Sequence, residues 1–357
     1  MKLLIISNMY PSVKDPVYGT FVQLFAKQMI NYNGDINTSL IVIKGRDGNI
    51  FNKMWKYFSF YLKITLSLIL YKYDLVYIHT ITYPVPPIRI ASFFRKLPLV
   101  FNVHGGDVLT RSKFAEKLKK KSIPLLKMAK LIVSPSNYFK TIILKEFPFL
   151  DEKKIYVSPS GGIKSSFFTT QQEINNDIFT LGYVSRIDEA KGWDTFINAI
   201  AILKAKKHRI KAIMVGRGSK TNEMNNLIHS LSLNNEINYI GPIPHNQLPE
   251  IYANLDLFIF PTELEESLGL VGLEAMACKV PVIGSNIGGL KDYIKPHNNG
   301  LFFEAGNSAE LAEKIIFYMS LSEIEKNIYK ENAYKTAKSF SSDTVNIELY
   351  YKLKSII

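Results

Sequence analysis

Short apolar runs rich in β-branched residues alternate with longer stretches of helical spacing along almost the whole chain, which leaves few architectures open. The runs at 3–7 (LLIIS), 39–43 (SLIVI), 75–80 (LVYIHT), 99–105 (LVFNVHG), 131–136 (LIVSPS) and 155–160 (IYVSPS) form one series. Those at 179–186, 210–216, 237–241, 257–262 and 280–285 form a second. Helical patterns lie between them, for example at 21–30, 195–205, 248–254 and 270–277. Strands that are apolar almost throughout are buried on both faces, so they belong to parallel sheets with helices on either side. The two series are separated by "SGGIKSSFFTTQQEINND", which is polar and turn-rich and reads as a linker. A chain of 357 residues is long enough for two cores. The pattern predicts two doubly wound, Rossmann-like α/β domains at 1–165 and 166–342, with a last helix at 343–357 packing back on the first. In sheets of this kind ligands sit beyond the carboxyl ends of the strands.

Charge divides the chain the same way. Residues 1–165 carry 25 Lys/Arg and 9 Asp/Glu, a net of +16, whereas the rest carries −3. The densest basic cluster runs from Arg111 to Lys130, with Phe114, Leu118, Leu125, Leu126 and Met128 beside the lysines. Such a segment suits an anionic membrane surface. No base-reading module accompanies it, so nucleic acid is not an expected partner. The most apolar stretch, Tyr57–Leu70, is interrupted by Lys63 and falls short of the ~20 residues that span a bilayer. The opening "MKLLIISNMYPS" reads as a first strand rather than a signal peptide, and Cys278 is the one cysteine. The expected location is cytoplasmic, peripheral at the inner face of the cell membrane.

The distinctive polar residues fall at strand carboxyl ends. Arg186 follows the 179–186 run, and Lys191-Gly192 precedes a helical pattern, a pairing suited to a diphosphate. Gly216 and Gly218 end another strand, where a ligand can approach the backbone. In "ELEESLGLVGLEAM" (263–276), Gly269 opens a helix, so the amides of Gly269, Leu270 and Val271 form an anion site. Glu266 in the loop and Glu274 inside the helix can each accept from sugar hydroxyls on either side of that anion. Dipole stabilisation explains Glu263 and Glu265, but it poorly explains Glu274 among apolar neighbours. No His/Cys/Asp cluster has metal-ligand spacing, so no metal or other cofactor is expected.

These motifs resemble those of family 4 glycosyltransferases. Glu266 and Glu274 match the family's E-x7-E element, and Gly182, Arg186, Lys191 and Gly192 match its Gly-x3-Arg…Lys-Gly element. Gly288-Gly289 matches a later glycine pair. "NMYPSVKDPVYGTFV" resembles the N-terminal loop, with Gly19 and Thr20 at the matched positions, and "FNVHGGD" the histidine loop, with His104. The chain departs from the family at Ser267-Leu268, where many members have Gly-Phe, and in "PSGGIKSSF", where they have Asn-Gly-Val-Asp.

The resemblance implies a GT-B fold, two Rossmann-like domains facing across a cleft, and a retaining transfer from a nucleoside-diphosphate sugar, with a UDP-sugar favoured. It assigns Arg186 and Lys191 to the leaving diphosphate, Glu274 to the ribose, and Glu266 and His104 to the sugar. Gly19, Thr20, Gly216, Gly269, Leu270 and Val271 complete the donor contacts. The basic first domain suggests an acceptor held at a membrane, a glycan or a polyprenyl-diphosphate-linked sugar in surface-polysaccharide synthesis, such as lipopolysaccharide or capsule. An epimerase of the same fold and a non-catalytic nucleotide-sugar-binding scaffold are the competing expectations.

Overall fold

The computed structural model describes residues 1–15, 18–31, 36–110, 112–168 and 178–357. Residues 169–177 of the linker, Pro16 and Val17 of the N-terminal loop, and Arg111 of the basic cluster lie outside the described residues. The chain forms two compact units, Met1–Gly161 with Val345–Ile357, and Gly162–Thr344.

In the first unit β1 (Lys2–Tyr10), β2 (Asn37–Lys44), β3 (Leu75–His79), β4 (Leu99–Asn102), β5 (Leu131–Ser134) and β6 (Ile155–Val157) form a parallel sheet in the order β2-β1-β3-β4-β5-β6. Successive side chains of a strand point to opposite faces, and each face is covered. Leu4, Ile6, Val76, Ile78, Leu99, Phe101 and Ile132 pack with α2 (Ile50–Leu70), α3 (Val85–Ser92), α4 (Lys113–Met128) and α5 (Asn137–Glu146). Leu3, Ile5, Leu75, Tyr77, Val100, Leu131 and Val133 pack with α1 (Thr20–Asn31) and with Leu349, Tyr350 and Leu353 of α12 (Ser342–Lys354). The final helix thus completes the first core.

The second unit repeats the plan. β7 (Phe179–Val184), β8 (Ile210–Val215), β9 (Ile237–Gly241), β10 (Leu257–Phe260), β11 (Val282–Ser285) and β12 (Gly300–Phe303) run parallel in the order β12-β11-β10-β7-β8-β9. One face packs on α6 (Trp193–Ala205), α7 (Thr221–Ser230) and α10 (Ser308–Ser320) through Phe196, Ile200, Met224 and Ile315. The other packs on α8 (Leu248–Ala253), α9 (Leu270–Ala277) and α11 (Glu323–Ser339) through Tyr252, Leu273, Met276 and Ala333.

Three local outcomes differ from the sequence reading. The division falls at Gly161/Gly162 rather than 165/166. Ile163 is already tied to the second unit, its N–H donating to Phe340 O at 2.7 Å and its carbonyl accepting from Ser342 N–H at 2.8 Å. The edge strand β12 was not expected, because a four-residue run pairing only with β11 leaves little periodicity to read. In α4, Leu118, Leu125 and Leu126 are buried in the core and only Phe114 and Met128 of the expected apolar set are exposed. The sheet therefore takes the apolar residues that the sequence reading had set beside the lysines for a membrane.

Candidate active site at the carboxyl edge of the second sheet

Four loops meet where β7, β8, β10 and β11 end. Beyond β7 the chain turns through Arg186, Asp188 and Lys191 into α6, with Gly192 at its N-cap in the left-handed region at φ 68°. A Cβ at Gly192 would lie 1.8 Å from Pro261 O, so only glycine lets this turn rest on the end of β10. Glu263 N–H donates to Ala190 O at 2.9 Å, and Tyr183 OH donates to Lys191 O at 3.2 Å, fastening the turn from both sides. Gly216 packs as tightly, its missing Cβ 1.8 Å from Ser185 O. Asp188 Oδ1 accepts from both the N–H and the hydroxyl of Ser219, at 2.9 and 3.0 Å. Those bonds, with Arg186 beside it, hold the Asp188 carboxyl below its usual range.

Lys191 reaches the next loop. Its ammonium donates to Glu266 Oε1 at 2.6 Å, and both side chains are largely shielded. Thr262 Oγ1 donates to the same oxygen at 3.3 Å. Both bonds fall on Oε1, which leaves Oε2 to accept from a hydroxyl. The loop is held by a glycine pair: a Cβ at Gly288 would meet Glu266 N at 2.8 Å, and Gly289 N–H donates to Glu266 O at 2.7 Å. Gly269 then opens α9 with φ 83°, and Tyr293 OH donates to its carbonyl at 3.0 Å. Among the described residues no side chain caps this helix start, and its first residues, Leu270 and Val271, are half-buried. The positive end of the helix dipole and the Lys191 ammonium are therefore brought to one loop.

Arg186 is placed differently from the expected two-cation clamp. Its guanidinium pairs with Asp188 at 2.8 Å within its own loop and is 72% exposed. Lys191 is the cation bonded to the loop that leads into α9. Glu274 is buried, with Oε1 2.8 Å from His245 Nε2 and Oε2 3.5 Å from Tyr252 OH. His245 was missed by the sequence reading. It stands in "IPHNQ", whose short 3₁₀ turn at 245–247 gives no periodic signal.

In the first unit His104 follows β4, half-buried, its ring 5.3 Å from that of His79 and inclined by 9°. His79 Nδ1 and His104 Nε2 are 3.1 Å apart. Among the described residues His79 Nε2 is buried without a partner, so the network favours the tautomer in which Nδ1–H of His79 donates to His104 and Nε2 is a bare acceptor. Desolvation holds both rings neutral, pushing His104 down to about 4 and His79 well below its ordinary value, to which a charge on His104 adds. Buried Asp107 fixes the loop, accepting from His104 N–H at 2.9 Å and Ile81 N–H at 3.0 Å. Its spacing after the His-Gly-Gly turn is the signal that could have found it. Gly19, with φ 73°, lies on the end of β1, where a Cβ would meet Met9 O at 2.7 Å, and exposed Thr20 begins α1.

Comparison with known proteins agrees with this architecture. Residues 30–161 match the family model "Glycosyltransferase Family 4" and residues 166–336 match "Glycosyl transferases group 1". The capsular polysaccharide biosynthesis glycosyltransferase CapM of Staphylococcus aureus is 31% identical over 175 residues, 49% of this chain and 45% of CapM. A GDP-mannose-dependent α-(1-6)-phosphatidylinositol monomannoside mannosyltransferase of Mycobacterium tuberculosis is 27% identical over 142 residues, 38% of this chain and 37% of that enzyme. The matched stretch thus spans less than half the length of these relatives. Among solved structures, Anabaena HepE in complex with UDP superposes with a TM-score of 0.78 at 21% identity, covering 99% of this chain and all of that one. The two parallel sheets, the glycine-braced loops and the pair of matched models show that the chain belongs to glycosyltransferase family 4 and has the GT-B fold.

Proposed function

We propose that this protein is a retaining glycosyltransferase. It moves a hexosyl or N-acetylhexosaminyl group from a nucleoside-diphosphate sugar, with a UDP-sugar favoured, to a glycan or polyprenyl-diphosphate-linked acceptor during surface-polysaccharide synthesis. The observation that carries the reading is the Lys191–Glu266 pair at the uncapped start of α9. HepE with UDP supports a uridine nucleotide and CapM supports a capsule-type product.

In this scheme the diphosphate lies against Lys191 and the first amides of α9, with Gly216 letting it approach the backbone and Arg186 supplying longer-range charge. As the bond from the anomeric carbon to the phosphate oxygen breaks, negative charge grows on the diphosphate, and those donors stabilise it. The acceptor hydroxyl attacks from the face the diphosphate leaves, and its proton passes to a leaving phosphate oxygen. Glu266 orients the sugar through Oε2 and is not a covalent nucleophile. Glu274, held by His245 and Tyr252, receives the ribose hydroxyls. In the first unit the neutral His104 serves the sugar, and the Gly19–Thr20 start of α1 is the remaining donor contact. Cationic side chains supply what a divalent ion supplies at phosphates elsewhere, so the reaction is metal-independent.

The test is release of free nucleoside diphosphate from a panel of UDP- and GDP-sugars, with and without acceptor and with EDTA. Acceptor-dependent release that survives EDTA is expected. An altered free nucleotide sugar formed without acceptor would favour an epimerase, and binding without turnover a scaffold.

A further inference from the structure

The sequence reading set the membrane surface on α4, but the structure leaves a different apolar face uncovered. Along α2, Phe60, Ile64 and Leu68 are buried against the sheet, while Phe51, Met54, Trp55, Phe58, Leu62 and Leu66 are 46–78% exposed. At about 100° per residue these six fall within an arc of roughly 120° on the outer side of the helix. Six large apolar side chains on one helix are not the scattered exposure of an ordinary surface.

Aromatic contacts link α2 to neighbouring elements. Trp55 stacks on Phe58 with ring centres 5.7 Å apart. Tyr57 leads through Tyr83 to Phe114 of α4, at 5.7 and 6.2 Å. Phe93 and Phe94, just past α3, are also exposed. The charge around the patch is mostly positive, the nearby acids being Asp47, paired with Lys56 at 3.3 Å, and Glu116 of α4, paired with Lys119 at 3.0 Å. α2 has no acidic residue, and exposed Lys53 and Lys63 stand on it, with Lys96, Lys113 and Lys117 on adjoining segments.

We infer that the exposed face of α2, with Phe93, Phe94 and Phe114, docks in the plane of an anionic lipid bilayer. Its aromatic and leucine side chains enter the acyl boundary while the lysines meet headgroup phosphates. Flanks with an excess of lysine match an anionic lipid surface, and an apolar face of this width matches the depth an interfacial helix reaches. Among the described residues no helix is long and apolar enough to cross a membrane, which is consistent with a helix lying in the surface. The lysines of α4 then add attraction, and α2 supplies insertion. This inference concerns where the protein sits and does not depend on the transfer reaction.

The sequence has two tryptophans, Trp55 and Trp193, so Trp193→Phe in the full chain leaves Trp55 as the sole reporter. With vesicles of phosphatidylcholine and phosphatidylglycerol at low salt, Trp55 emission should shift to the blue and be quenched by brominated acyl chains. The triple change Phe51→Ser, Phe58→Ser, Leu62→Ser should cut vesicle-bound protein by about tenfold or more. An unchanged thermal midpoint would show that the serines leave the fold intact. Three results overturn the inference: no binding, binding with Trp55 unquenched, or equal binding by the folded triple variant. Sedimentation as a dimer in which the triple change abolishes self-association, without vesicle binding, would give the face to a second copy and equally overturn it. Failure here with nucleotide-sugar turnover intact would leave the proposed reaction standing.

Discussion

Glu266→Gln should lower transfer on the order of 10²-fold while leaving nucleoside-diphosphate affinity unchanged or improved. The carboxylate takes the Lys191 ammonium on Oε1 and keeps Oε2 for a hydroxyl. Glutamine keeps the shape and loses the charge. A hydrogen bond to a charged group is worth about 1.5–3 kcal/mol, and losing one where the reacting sugar is oriented accounts for a loss of that order. The opposite sign for binding comes from the same pair. With its counter-charge removed, Lys191 is freer to meet a diphosphate. Steady-state release of nucleoside diphosphate, beside calorimetric binding of UDP and GDP, separates the two effects. Equal losses in both would mean that Glu266 merely holds the loop together.

The second large effect is on stability. Gly192→Ala is expected to cost about 2–5 kcal/mol, combining a left-handed backbone of ~1–2 kcal/mol with overpacking of ~1–3 kcal/mol against Pro261 O. Gly241 is the control, since its φ is 74° and a Cβ there would meet nothing within 4 Å. Gly241→Ala therefore carries only the backbone term, about 1–2 kcal/mol. Thermal unfolding of the two variants should differ by several degrees, at about 2–4 °C per kcal/mol for a unit of this size. Equal midpoints would mean that the Lys191-Gly192 turn has room to shift off β10.

The layered plan was legible because each buried strand announces itself as an apolar run, and the runs from Leu3 to Ser285 correspond to β1–β11. Strands end sooner than those runs suggest. In "LVFNVHG" the strand stops at Asn102, and the rest turns to carry His104. α2 was harder to read, since apolar residues occur all round it and its outer face has no polar stripe to set the period. At the site, Gly269 and the two acids could be found from local spacing. Their partners could not, because Lys191 and Glu266 are 75 residues apart, His245 and Glu274 are 29 apart, and His79 and His104 are 25 apart. Such pairings are set by sheet order, which brings β7 beside β10. The arginine illustrates the converse: motif spacing pairs it with Lys191, whereas the fold gives it Asp188.

The most direct measurement is calorimetric titration of UDP, with GDP in parallel, into the wild-type protein, Lys191→Ala and Arg186→Ala. Lys191 lies shielded beside Glu266 in the loop before α9, so its loss should raise Kd about 10- to 150-fold, matching ~1.5–3 kcal/mol for a hydrogen bond to a charged group. Arg186, exposed and engaged by Asp188, should have a smaller effect. A Lys191→Ala protein that folds normally and binds the nucleotide as tightly as wild type would contradict the account.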